Sequence, residues 1–144
     1  MTTPNAELSS ARAFDGLCVL LVEDDGATRH MIRSSLKRIG IHDVVVAADG
    51  AEALATFKAA TGKVDLILCD WLMPGLSGID LLKEVRAIKP DMPFVMLTGK
   101  ADFQSVKAAA DAGVSAYITK PFTLKQLEDK LRAVVQGGPP RPPS

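Results

Sequence analysis

The 144-residue chain is poor in the residues that build cysteine and histidine sites, with two cysteines and two histidines. Its lysines and arginines equal its acidic residues in number, so formal net charge is zero. A chain without net charge has no broad field to draw in nucleic acid, and DNA or RNA is not expected as a partner. No apolar run approaches the length that spans a bilayer, so no membrane insertion is expected. The stretch from Met1 to Gly16 lacks a basic start followed by an apolar block, so no signal peptide is read there and a cytoplasmic location is expected. Internal repeats and internal low-complexity linkers are missing too. Cys18 and Cys69 are then read as reduced, buried thiols. If Asp24 and Asp70 end neighbouring parallel strands at one level, Cys18 lies about four residues below Cys69. At roughly 3.3 Å per residue that is about 13 Å, too far for a disulfide.

What the chain does contain is organised around Val64-Asp65-Leu66-Ile67-Leu68-Cys69-Asp70-Trp71-Leu72-Met73-Pro74-Gly75. Leu66 to Cys69 has no polar residue and reads as a strand buried on both faces. Asp70 stands where it stops, and Pro74-Gly75 turns the chain just after. Cys18 to Val22 is a second such run, followed by Glu23-Asp24-Asp25. Val44–Ala47, Phe94–Leu97 and Ala116–Ile118 complete five short strands.

Between the strands the apolar period changes to that of helices. Ile32, Leu36 and Ile39 mark one over residues 27–39, and Gly40-Ile41 stops it. Asp49 with Glu52 starts a helix that runs to Ala60. Ser77 caps one over residues 78–88, and Pro90 follows its end. Phe103, Val106 and Ala110 mark a fourth, ended by Gly113. Thr123 with Gln126 starts the last, with Leu124, Leu127, Leu131 and Val134 inward. Five strands alternating with five helices predict an α/β fold with a parallel sheet and helices on both faces. Residues 1–16 read as an N-terminal arm with Phe14 anchoring its end, and residues 137–144 as a solvated Pro-rich tail.

In such sheets ligands bind beyond the carboxyl ends of the strands. There this chain delivers Glu23, Asp24 and Asp25 from strand one, Asp70 from strand three, Thr98 from strand four and Lys120 from strand five. Clustered carboxylates repel and need protons or a cation. With oxygen ligands and no Cys/His set beside them, a hard divalent ion is favoured, and Mg2+ suits two or three carboxylates with room for a phosphate oxygen. A carboxylate such as Asp70 can accept a phosphoryl group, with Mg2+, Lys120 and the Thr98 hydroxyl neutralising charge.

Two other classes fit less well. An Asp-nucleophile phosphohydrolase commonly has an acid/base carboxylate two residues after the nucleophile, and that place is Leu72. A nucleotide-binding protein needs a Gly-rich phosphate loop, and none follows a strand. His30 and His42 have no cluster around them and are read as uninvolved. Trp71 is read as a partly exposed neighbour of Asp70.

The segments Val22-Glu23-Asp24-Asp25, Asp70-Trp71-Leu72-Met73-Pro74-Gly75, Leu97-Thr98-Gly99 and Tyr117-Ile118-Thr119-Lys120-Pro121-Phe122 appear in the order found in receiver domains of two-component response regulators. Over residues 17–136 the chain resembles that family, and especially its stand-alone chemotaxis regulators. The resemblance implies a flavodoxin-like sheet of strand order 2-1-3-4-5. It also implies that Asp70 accepts a phosphoryl group from a phosphohistidine on a sensor histidine kinase or a histidine phosphotransfer protein. Mg2+ would be ligated by Asp24, Asp70 and the Leu72 backbone carbonyl, with Glu23 helping through water. Thr98 would hydrogen-bond the phosphoryl group, Lys120 would pair with it, and the Lys120-Pro121 bond would be cis. Tyr117 takes the place of the aromatic switch residue. Together with Thr98 it would alter the face built by strand five and the helices before and after it, where a downstream target protein binds. A phosphorelay intermediate or phosphate sink is the alternative within the family. Glu23 stands where the family often has a first Asp, and Asp25, which has no fixed role there, is read as solvated or capping. Leu72 and Lys100 would flank the approach of the hydrolytic water and lengthen the phosphorylated state, against the space left by Gly99.

Overall fold

In the computed structural model, residues 14–137 are described except 61, 72, 74, 100–106 and 109. The N-terminal arm before Phe14, the Pro-rich tail from residue 138, the start of the fourth helix at Phe103 and Val106, and the Leu72 and Lys100 positions lie outside the described residues, and Gly137, expected in the tail, is the last residue of a helix. Strands β1 (Cys18–Val22), β2 (Asp43–Ala47), β3 (Leu66–Asp70), β4 (Phe94–Thr98) and β5 (Ala116–Thr119) form one parallel sheet ordered β2-β1-β3-β4-β5. That is the flavodoxin-like order. Helices α1 (Gly26–Arg38), α2 (Gly50–Ala59), α3 (Gly78–Ile88) and α4 (Leu124–Gly137) join and cover it. Between β4 and β5, residues 107, 108, 110 and 111 are helical.

The apolar runs sit at the centre because both faces of β1, β3 and β4 are covered, and every residue in these three strands is buried. Successive side chains point to opposite faces. Leu20, Val22, Ile67, Cys69, Phe94 and Met96 pack with Ala53 and Phe57 of α2 and Leu81, Leu82 and Val85 of α3. Val19, Leu21, Leu66, Leu68, Val95 and Leu97 pack with Ile32 and Leu36 of α1 and Leu127 and Leu131 of α4. Phe14 is buried in this second layer, so it anchors the chain just before β1.

The helix ends follow their sequence signals. Asp49, Ser77 and Thr123 each accept a hydrogen bond from the backbone N–H three residues on, at 2.7, 3.2 and 3.1 Å. Gln126 returns the bond to the Thr123 N–H at 2.8 Å, which completes a capping box worth about 1 kcal/mol. At the end of α1, Gly40 adopts φ +104°, the left-handed region glycine enters without a Cβ penalty. The N–H groups of Gly40 and Ile41 then reach the Lys37 and Leu36 carbonyls at 3.1 and 2.9 Å, and Ile41 packs beside Leu36.

The register differs by one residue from the expectation that Asp24 and Asp70 lie level. Val22 pairs with Cys69, so Glu23 is the residue that comes level with Asp70. Asp24 falls just beyond the strand, where the chain turns into α1. Cys18 is four residues below Val22, and both thiols are free and buried.

The acidic pocket at the carboxyl edge of the sheet

Glu23, Asp24, Asp70, Thr98 and Lys120 all emerge at one edge because parallel strands end on the same side. Glu23 continues β1 for one residue, and its N–H donates to the Ala47 carbonyl at 3.1 Å. Its side chain turns inward and is almost fully buried, at 2% exposure. Asp70 closes β3 at 9% exposure, and Thr98 closes β4 at 5%. Asp24 is exposed. One oxygen from each of Glu23, Asp24 and Asp70 lies within 4.8 Å of the other two.

Lys120 arrives from β5 through a backbone bond, its N–H donating to the Thr98 carbonyl at 2.7 Å. The Lys120–Pro121 peptide is cis, as the resemblance implies. The ammonium Nζ lies 3.1 Å from Glu23 Oε1 and 3.3 Å from Asp70 Oδ1. Burial raises the Glu23 carboxyl above its ordinary range; the bond from Lys120 opposes this and the nearby Asp70 charge adds to it. Burial works against the Lys120 ammonium, but the hydrogen bond to Glu23 and the Asp70 and Glu23 charges outweigh it, so its pKa rises.

Three carboxylates and one ammonium leave two negative charges uncompensated if all are ionised. Oxygen donors of this number and spacing fit a hard divalent cation such as Mg2+, which holds few protein carboxylates and keeps several waters.

Asp25 does not join the cluster. Its side chain caps α1, accepting from the Thr28 N–H at 2.8 Å and the Thr28 hydroxyl at 2.6 Å. Those bonds hold its carboxyl below the usual range. His30 and His42 are exposed. Tyr117 lies on β5 at 37% exposure, with the Lys130 ammonium of α4 over its ring at 5.8 Å from the centroid.

Sequence reasoning passed over two arginines. Arg29, one turn into α1, donates from Nη1 to the Glu23 carbonyl at 2.9 Å. Arg86 of α3 donates to the Met92 carbonyl at 2.5 Å and to the Gly113 carbonyl at 3.0 and 2.8 Å, tying together the turns that feed β4 and β5. The available signal for Arg29 was a basic residue one helical turn after an acidic strand end.

A doubly wound parallel sheet with an acid cluster and a lysine at its carboxyl edge defines a narrow class of α/β modules. Residues 19–132 match the response regulator receiver domain, and the chain belongs to that family of signalling proteins. It is 38% identical over 120 residues to the chemotaxis protein CheY-3 of Vibrio cholerae, covering 82% of this chain and 91% of that protein. It is 36% identical to the chemotaxis protein CheY of Pseudomonas aeruginosa over 120 residues, 82% of this chain and 95% of that one. A response regulator receiver domain protein from Clostridium thermocellum superposes with a TM-score of 0.79 at 28% identity, over 84% of this chain and 95% of that chain. Receiver domains use Mg2+ in their acidic pocket, and this chain carries the corresponding cluster of Glu23, Asp24 and Asp70.

Proposed function

We propose that this chain acts as a response regulator in which Asp70 accepts a phosphoryl group and residues 17–136 form the unit that responds. The observation that carries the reading is the arrangement around Asp70. Its carboxylate stands at the end of the central strand, beside two further carboxylates, with the Lys120 ammonium 3.3 Å away. The donor is a phosphohistidine on a sensor histidine kinase or a histidine phosphotransfer protein. An Asp70 carboxylate oxygen attacks phosphorus, the O–P bond forms, the N–P bond breaks, and the imidazole leaves with its electron pair and takes a proton.

Asp24, Asp70 and the Leu72 backbone carbonyl, with Glu23 helping through water, would hold Mg2+, which would supply charge neutralisation for the phosphoryl oxygens. Lys120, already shared between two carboxylates, turns toward the added anion, and the Thr98 hydroxyl donates to it. Both residues are joined to β5, Lys120 by sequence and Thr98 by the bond from the Lys120 N–H. Their movement therefore reaches Tyr117 and the face it shares with α4, where a downstream target protein binds. Such a switch needs two packings of similar energy, which the phosphoryl charge biases. The reading implies a cytoplasmic location and no nucleic-acid partner.

Incubation with a small acyl-phosphate donor and intact-mass measurement tests it. The wild type gains one phosphoryl group with Mg2+ and none in EDTA, and Asp70→Asn gains none. Labelling of Asp70→Asn, or full labelling in EDTA, overturns the reading.

A further inference from the structure

Arg29 reaches back from α1 to the peptide that precedes Asp24. The last residue pair of β1 with each neighbour is at Val22, opposite Ala47 and Cys69. The Glu23 carbonyl lies beyond these pairs, and Arg29 Nη1 donates to it at 2.9 Å. This fixes the plane of the peptide between Glu23 and Asp24. The next peptide is fixed from the other side, because the Asp25 N–H donates to Glu23 Oε2 at 3.3 Å. Asp24 thus sits between two anchored peptides, which sets both of its backbone angles and the direction of its exposed carboxylate. Arg29 is itself held in place, with its N–H on the Asp25 carbonyl at 2.8 Å.

We propose that Arg29 is a positioning residue for divalent-cation binding, aiming the Asp24 carboxylate at Glu23 and Asp70 by clamping the Glu23 carbonyl. The inference rests on the reading of the acid cluster as a Mg2+ site. It makes a prediction opposite in sign to simple electrostatics. A nearby positive charge repels a cation, so an Arg29 that acted only through charge would weaken binding, and its removal would tighten it. An Arg29 that positions Asp24 strengthens binding, and its removal weakens it. Residues that orient metal ligands without touching the metal typically contribute about 10- to 100-fold in affinity.

The test is MgCl2 titration of the full chain, read by the fluorescence of Trp71, the one tryptophan and the neighbour of Asp70. Arg29→Gln is expected to bind Mg2+ roughly 10-fold more weakly than the wild type. Arg33→Gln removes the same charge one turn further along α1 and is expected to leave affinity unchanged or slightly tighter. In the metal-free protein, Arg29→Gln should shift the Asp24 and Asp25 amide resonances and speed their hydrogen exchange, while the urea midpoint confirms a folded chain. Should Arg29→Gln fail to fold, Arg29→Lys, which moves the donor and keeps the charge, is read by the same criteria. An Arg29 variant that binds Mg2+ as tightly as the wild type or tighter, or leaves those two amides unmoved, overturns the inference. A wild type that shows no response to Mg2+ overturns the reading of the site, and this inference with it.

Discussion

β3 and β5 carry opposite charges to the same pocket, Asp70 from one and Lys120 from the other, and they are held in different ways. β3 is paired with β1 on one side and β4 on the other, and all five of its residues are buried. α3 starts directly against its end: a Cβ built on Gly78 would lie 2.5 Å from the Asp70 carbonyl and 3.0 Å from Met96 Sδ. Among the described residues β5 is an edge strand paired with β4 alone, and only Ile118 of its four residues is buried. One wall of the pocket is therefore close-packed and the other is open. Under the proposed function, a charge change at Asp70 would meet resistance on its own strand and be relayed through Lys120 into the strand that can yield.

The largest expected effect lies on the packed wall. Gly78→Ala places a methyl group against backbone that cannot move aside, and crowding of this kind costs about 1–3 kcal/mol. Equilibrium urea unfolding should show the unfolding free energy fall by that amount, as a lower midpoint at an unchanged slope. A Gly78→Ala protein as stable as the wild type would show that the end of β3 has slack, and the contrast with β5 would dissolve.

A smaller effect belongs to the group between the two walls. Glu23 is buried, and its folded-state pKa is raised, chiefly by desolvation. The folded chain therefore holds the Glu23 proton more tightly than the unfolded chain does. The stability this gives is fully present below the ordinary glutamate pKa and is lost as pH rises through the raised folded value. Asp25 works in the other direction at lower pH. Its bonds from Thr28 depress its pKa, so its contribution is lost as pH falls through that value. Comparing metal-free wild type with Glu23→Gln isolates the Glu23 contribution. The variant should gain on the wild type as pH rises from the ordinary glutamate range toward neutrality, and a constant difference across that range would refute the assignment. The amide oxygen can still accept from Lys120.

The smallest effect is on the open wall. A cation over an exposed aromatic ring contributes about 0.5–1 kcal/mol. Lys130→Gln should reduce stability by no more than that, yet move the ring resonances of Tyr117, the one tyrosine of the chain. Unmoved resonances would mean that packing within β5, and not α4, sets the ring.

Much of this was readable from the chain itself. Apolar runs ending in acids located β1 and β3, and their lack of polar residues placed them at the sheet centre. The caps at Asp49, Ser77 and Thr123 and the stop at Gly40-Ile41 are local signals, and each formed as its residues dictate. What was not readable depends on distant parts of the chain. The one-residue register between β1 and β3 decides that Glu23, and not Asp24, lies level with Asp70. Asp25, by contrast, is a local case: read as solvated or capping, it is a cap because Thr28 stands three residues on to donate to it. Arg29 and Arg86 act through backbone carbonyls, which every residue has, so no residue pattern announces their partners.

The thiol next to Asp70 bears on which chemical signals the pocket can receive. Cys69 is fully buried, its Sγ–H donates to the Asp70 carbonyl at 3.2 Å, and burial, followed by the Asp70 and Glu23 charges, drives its pKa far upward. Peroxides and alkylating agents attack the thiolate, and that form is suppressed here. A sulfur atom one residue from the proposed phosphoacceptor is therefore shielded from oxidants, by burial and by its suppressed thiolate. If Asp70 accepts a phosphoryl group as proposed, the pocket would answer a phosphoryl donor without Cys69 adding a response to oxidants.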